Sequence, residues 1–250
     1  MNFALHGNLG LPEDMHPLLF AAGGPPGASP HLWRALADHP QTASLHGFAA
    51  HLNEIAAPCV VRPRVLIGYS LGGRLALHAL TKAPELWHAA ILISAHPGLQ
   101  TQKERDARLC QDQEWGGRVR REPWPELLAA WNCQPVFHGD SVPGSGGSAT
   151  VQDFSVQFEP WRRQIALGFS QWSLGQQADL RPLLPRVKCP VLWITGEKDA
   201  KFTALAAECC ALLPDAQHVT IPGAGHRAHL YPASPGLVAD FLARKIGLNR

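Results

Sequence analysis

Gly68-Tyr69-Ser70-Leu71-Gly72-Gly73-Arg74 is the stretch on which the reading of this chain turns. The apolar run Arg64-Val65-Leu66-Ile67 leads into it. A helical pattern leads out, with Leu71, Leu75, Ala76, Ala79 and Leu80 on one face and a stop near Pro84. Strand, Gly-x-Ser-x-Gly, then helix makes a sharp turn that lifts the serine hydroxyl above the edge of a sheet. Glycines flank Ser70 because larger side chains would collide with the neighbouring strand and helix. The helix N-terminus beneath the serine favours developing negative charge.

A reactive serine needs a base to take its proton and an acid to hold that base. Asp199 follows the apolar run 190–196, in Gly196-Glu197-Lys198-Asp199. His226 follows the run 217–221, in Pro222-Gly223-Ala224-Gly225-His226. The order Ser, Asp, His, each on a loop after a strand-like run, is that of the α/β-hydrolase fold, and such loops open on one sheet edge. Asp199 also reads as a cap for a helix over 203–213. Glu197 is the fallback acid, closer to the strand end. Near the start, His6-Gly7-Asn8 follows the strand-like stretch 2–5. A His-Gly turn after an early strand is where that fold commonly places one oxyanion-hole amide, here the Asn8 N–H, although the residues also read as a plain glycine turn.

The bulk numbers exclude several classes. The 250 residues carry 46% hydrophobic content, enough for a sizeable core, and a net charge of +2 without long runs of either sign. Nucleic acid therefore has no electrostatic footprint here. No run approaches the ~18 apolar residues of a membrane span, and the first residues lack the pattern of a signal peptide. Six scattered cysteines without a Cys-x-x-Cys pair read as reduced thiols in a cytoplasmic protein, and Cys209-Cys210 as core. His226 and His229 lie three apart, with no third ligand at metal-site spacing. Neither a metal nor a cofactor is expected.

Strand-like runs (2–5, 18–22, 60–61 with 64–69, 89–95, 190–196, 217–221) alternate with helical patterns (31–39, 48–57, the helix after Ser70, 203–213, 235–246). This predicts a mostly parallel sheet flanked by helices. Residues 23–27 are a Gly/Pro break. From 96 to about 179 the alternation lapses into helix-like segments at 101–115, 123–131 and 159–174, with a Gly/Ser-rich stretch over 139–150 that reads as a mobile loop. The expected organisation is a core of residues 1–96 and 180–250, with 97–179 inserted as a helical cap.

Arg74 lies one helical turn beyond Ser70. Arg105 and Arg108 fall on the first cap helix, where Glu104 and Arg108 are spaced as an i,i+4 pair. A simple acyl esterase has no need of such arginines; a substrate with two or more carboxylates does, because Arg binds carboxylate bidentately.

The elbow GYSLGGR resembles that of the MenH family, the 2-succinyl-6-hydroxy-2,4-cyclohexadiene-1-carboxylate (SHCHC) synthases. So do His96-Pro97-Gly98-Leu99 with Arg105 and Arg108, the run Trp131 to Phe137 (WNCQPVF), Gly196 to Phe202 (GEKDAKF), and Ala224-Gly225-His226. The resemblance covers about residues 64–230. It implies a carbon–oxygen lyase of menaquinone biosynthesis that eliminates pyruvate from a small-molecule dicarboxylate substrate, SEPHCHC, to give SHCHC. Ser70, His226 and Asp199 would abstract a proton; the amides of Leu71 and Asn8 would stabilise developing charge. Arg74 and Arg108 match carboxylate-binding positions, Tyr69 and Trp131 pocket-lining ones. The Asp-Leu-Pro-Gly-His-Gly turn common in relatives is absent. A further cap arginine has only Arg162 or Arg163 near its position. A serine hydrolase of the carboxylesterase kind uses the same three residues, and a non-catalytic binding module on this fold would not need all three.

Overall fold

The structure, a computed structural model, describes residues 1–23, 29–140 and 156–248. Among them, five strands lie side by side in sequence order: β1 (Asn2–Leu5), β2 (Val65–Tyr69), β3 (Ala89–Ile93), β4 (Val191–Gly196) and β5 (Ala216–Ile221). Every neighbouring pair is parallel, with Asn2 level with Val65 and Val65 level with Ala89. All the loops that leave the strands therefore open on one edge. The helices are α1 (His16–Ala21), α2 (Leu32–Asp38), α3 (Leu45–Ala56), α4 (Leu71–Lys82), α5 (Gln102–Arg121), α6 (Trp124–Asn132), α7 (Arg162–Gln171), α8 (Ala200–Leu212) and α9 (Ala233–Ile246).

Side chains alternate across a strand, and both faces of this sheet are covered, so the strands read as continuous apolar runs. Ile67, Ile91 and Ile194 pack with Leu18 and Leu19 of α1 and Phe241 and Leu242 of α9. Leu66, Leu92 and Trp193 share the opposite layer with Phe48 of α3, Leu75 of α4 and Cys209 of α8. The α/β-hydrolase architecture expected from the sequence is present.

Four local expectations change. Residues 18–22 are not a strand: Pro17 sits in the first turn of α1, and Leu18 and Leu19 bury themselves against the sheet from outside it. Val60 and Val61 are exposed, and strand pairing begins only at Val65. Helix α3 starts at Leu45, because the Ser44 hydroxyl accepts the Gly47 N–H at 2.9 Å and caps it. The segment 159–174 breaks into a 3-10 turn (Glu159–Trp161), α7, and a second turn (Leu174–Gln176). Asp112 of α5 holds that second turn, accepting from Ser173 Oγ at 2.7 Å and from the Leu174 N–H at 3.3 Å.

Between β3 and β4 the described chain forms α5, α6 and α7. Helix α5 packs along α7, where Gly116 lets it approach the Ala166 carbonyl closely. Helix α7 leans on α2 through Gly168 against the Trp33 ring. Residues 24–27 of the Gly/Pro break and 141–150 of the Gly/Ser-rich stretch lie outside the described residues.

Candidate active site

The sharp turn after β2 is built by close approach. A Cβ on Gly68 would meet the Gly72 backbone, and one on Gly72 would meet the Leu5 carbonyl. Ser70 itself sits at φ 49° and ψ −107°, a backbone region that costs of order 1–3 kcal/mol for a non-glycine residue. The turn holds the Ser70 hydroxyl 3.1 Å from Nε2 of His226. On the far side of the ring, Nδ1 lies 2.7 Å from Asp199 Oδ2. His226 and Asp199 are buried. The three residues read from the sequence thus form one hydrogen-bonded chain across three loops.

Asp199 occupies the N-cap position of α8 but makes no capping bond with its side chain; the carboxylate is committed to His226. Glu197, the fallback acid, instead accepts the Gly223 N–H at 2.8 Å and shapes the histidine loop. The amides of Asn8 and Leu71 donate to no backbone acceptor among the described residues. The Asn8 loop is braced by His6, whose Nε2 accepts the Leu32 N–H at 3.2 Å while Nδ1 faces the Gly7 carbonyl at 2.9 Å. Burial drives the His6 pKa down to about 3, so the ring stays neutral.

Above this edge lies a cavity of about 470 Å³. Its floor carries Arg74, only 5% exposed. Among the described residues its side chain has one hydrogen-bond acceptor, Gln177 Oε1 at 3.3 Å, and no carboxylate partner. Loss of water lowers its pKa to about 9, which leaves it charged at neutral pH. Gln177 is itself oriented, donating from Nε2 to the His96 carbonyl at 2.8 Å. The His96 ring accepts the Gly98 N–H through Nδ1 at 3.0 Å. Burial, then the charges of Lys201 and Arg74, lower its pKa to about 3. His96 is therefore a neutral ring whose remaining proton sits on Nε2.

Arg108 lines the roof from α5. It does not pair with Glu104, which instead closes a capping box with Thr101 at the start of α5. Its Nε donates to Asp112 at 2.8 Å, with the arginine side chain 33% exposed. Tyr69 and Trp131 both line the cavity. Tyr69 stacks on His229 at 3.6 Å, and Trp131 meets the edge of Trp115 at 5.0 Å. Burial raises the Tyr69 hydroxyl above its usual range and pushes His229 well below its own.

The other arginines go elsewhere. Arg105 is spent on the Leu99 and Gln100 carbonyls. Arg162 pairs with Glu159 at 2.8 Å and lies over the Trp124 ring, and Arg163 is exposed outside the cavity lining. Lys198 and Lys201 also line the cavity, so it holds four cationic side chains against the carboxylates of Asp112 and Asp199. No group of three or more His, Cys, Asp or Glu among the described residues could hold a metal. Lys201, Gln177 and the neutral His96 had no role in the sequence reading. His96 and Lys201 stood inside recognised motifs; Gln177 gave no local signal.

The arrangement lets Ser70 pass a proton to His226 and puts two guanidinium groups, Arg74 and Arg108, on the same cavity. Comparison with known proteins agrees with the fold. The α/β hydrolase fold family matches residues 23–233. The 2-succinyl-6-hydroxy-2,4-cyclohexadiene-1-carboxylate synthase of Enterobacter sp. (strain 638) is 37% identical over 186 residues, covering 74% of this chain and 67% of its own. That of Citrobacter koseri is 38% identical over 183 residues, 73% and 68% of the two chains. Among solved structures, MenH from S. aureus superposes with a TM-score of 0.81 at 20% identity, over 98% of this chain and 93% of that one. A carboxylesterase of Nitrososphaera gargenis gives 0.69 at 14% identity, over 98% and 91%. At such identities the structural likeness speaks for the fold alone.

Proposed function

Because the chain belongs to the α/β-hydrolase family and, within it, to the 2-succinyl-6-hydroxy-2,4-cyclohexadiene-1-carboxylate synthases, we propose that it is a pyruvate-eliminating lyase of menaquinone biosynthesis. The observation that carries the reading is Arg74, a buried charge without a carboxylate partner among the described residues, one helical turn from Ser70. An unpaired buried cation is costly unless a bound anion completes it. Ester hydrolysis gives no reason to keep one there.

In this reading Arg74 and Arg108 hold substrate carboxylates and fix the cyclohexene ring over Ser70. His226 takes the serine proton through Nε2, and Asp199 steadies the imidazolium that results. The serine oxygen then removes the ring proton next to the succinyl ketone. Charge developing on the ketone oxygen is met by the amides of Leu71 and Asn8. The electrons pass through the ring double bond and break the bond to the enolpyruvyl oxygen. The leaving enolate takes a proton, for which protonated His226 is the donor at hand, and becomes pyruvate. No water enters the reaction, and residues 97–179 act as the cap that keeps it out. Six unpaired cysteines fit a reducing compartment, and we place the enzyme in the cytoplasm. Among the described residues no helix is long and apolar enough to cross a membrane.

The test is to supply the purified protein with SEPHCHC and, separately, with nitrophenyl esters. Pyruvate release with weak or absent ester turnover is expected. Brisk ester hydrolysis without pyruvate would replace the lyase by a carboxylesterase-like hydrolase.

A further inference from the structure

One short segment after α6 touches both loops that carry the base and its acid. The 3-10 turn Pro135–Phe137 ends α6's excursion and leads into His138-Gly139-Asp140. Phe137 packs edge-on to the His226 ring at 5.8 Å, and the Arg227 guanidinium lies 3.9 Å over the Phe137 ring centre. Asp140 Oδ1 accepts the Arg227 backbone N–H at 3.1 Å. Its other oxygen faces the Arg227 guanidinium at 3.8 Å. Arg227 also donates to the Asn132 side chain at the end of α6.

The histidine loop is shaped for this contact. A Cβ on Gly225 would collide with the Asp140 carboxylate, so only glycine admits it. On the other loop, Lys198, the neighbour of Asp199, reaches the Gly139 carbonyl at 3.5 Å. Gly139 has a φ of +92°, and the Lys198 stem lies where its Cβ would be. The two loops are already joined at their base by the hydrogen bond from Lys198 N to the Ala224 carbonyl, 2.8 Å. The segment from Phe137 to Asp140 joins them again farther out.

We infer that residues 137–140 are a strap that holds the Asp199 and His226 loops in register, with Asp140 and Arg227 as its latch. Arg227 and Asp140 are then positioning residues: they act through His226 and touch neither Ser70 nor the groups that bind carboxylate. The inference rests on Ser70, His226 and Asp199 being the reacting set. A displacement near 1 Å of a reacting group can cost about a hundredfold in rate, and the loss falls on kcat when binding groups stay in place.

Pyruvate release from SEPHCHC should be measured for Arg227→Ala, Asp140→Ala, the double variant, Arg227→Lys and Gly225→Ala, beside Ser70→Ala. Each single alanine variant should lower kcat about tenfold to a hundredfold while KM stays within about threefold. The double variant should fall at least as low as the poorer single, since Arg227→Ala leaves the Asp140 bond to the Arg227 backbone N–H in place and Asp140→Ala leaves the Arg227 contacts with Phe137 and Asn132. Arg227→Lys, which keeps the charge, should regain part of the rate. Gly225→Ala leaves both latch side chains intact but pushes the strap away, and decides the matter if an alanine variant fails to fold. Native kcat in these variants with Ser70→Ala inactive overturns the strap. Activity surviving in Ser70→Ala overturns the underlying reading instead.

Discussion

Arg74 in the floor of the cavity and Arg108 in its roof sit in opposite surroundings. Arg74 is almost fully buried with one amide oxygen for company; Arg108 is a third exposed and already paired with Asp112. The same contrast runs through the rest of each region. The floor is set by backbone: Ser70 by a tight turn, Asp199 and His226 by the ends of β4 and β5, the Asn8 amide by the end of β1. The roof is set by side-chain packing, with Trp131 edge-on to Trp115 and tilted against Phe137. In the floor, Arg74 lacks a carboxylate partner among the described residues, whereas Arg108 in the roof already has one. The floor should carry the chemistry and the roof should tune it.

The sharpest way to break this division is Ser70→Ala, which should lower kcat on the order of 10⁴-fold, measured as pyruvate release with the fold checked by circular dichroism. Near-native turnover would remove Ser70 from the reaction. Next, Arg74→Ala should cost about a hundredfold in kcat/KM, the size of a charge-assisted contact made in a dry site. Arg108→Ala should cost about tenfold, since Arg108 already shares its charge with Asp112 and water. Equal losses would erase the contrast between floor and roof.

The last test concerns stability rather than rate. Burial lowers the pKa values of His6 and His96 to about 3 and of His78 to about 4. In the unfolded chain a histidine titrates near 6.5. Below that pH the unfolded chain binds protons that the folded one refuses, so stability is complete above about pH 6.5 and declines toward pH 4. The slope is about 1.4 kcal/mol per pH unit for each histidine. Urea unfolding at pH 7, 5.5 and 4.5 should show it, and His96→Gln should flatten it. A level profile would mean that these rings are not held neutral.

Most of the floor can be read in the sequence because each part is announced locally. The glycines around Ser70, the apolar runs before Asp199 and His226, and the order of the three residues all lie within a few positions of what they specify. The capping box from Thr101 to Glu104 is equally local, and it removes Glu104 from Arg108, which pairs one turn the other way with Asp112. Residues 18–22 form an apolar run too short to tell strand from helix by period. The contact of Arg74 with Gln177 spans 103 positions, and no pattern in the chain foreshadows it. What escaped was set by tertiary packing.

The position of β1 has a consequence of its own. It is the outermost strand of the described sheet, four residues long and paired only with β2, and the Asn8 loop hangs from its end. Ser70, by contrast, rises from a strand flanked on both sides. Local opening in a protein starts where backbone partners are fewest. The two proposed oxyanion donors therefore rest on unequal supports: the Leu71 amide follows a strand paired on both sides, the Asn8 amide a strand paired on one side only. A substitution that loosens the edge strand should thus reach the Asn8 donor and leave the Leu71 donor where it is.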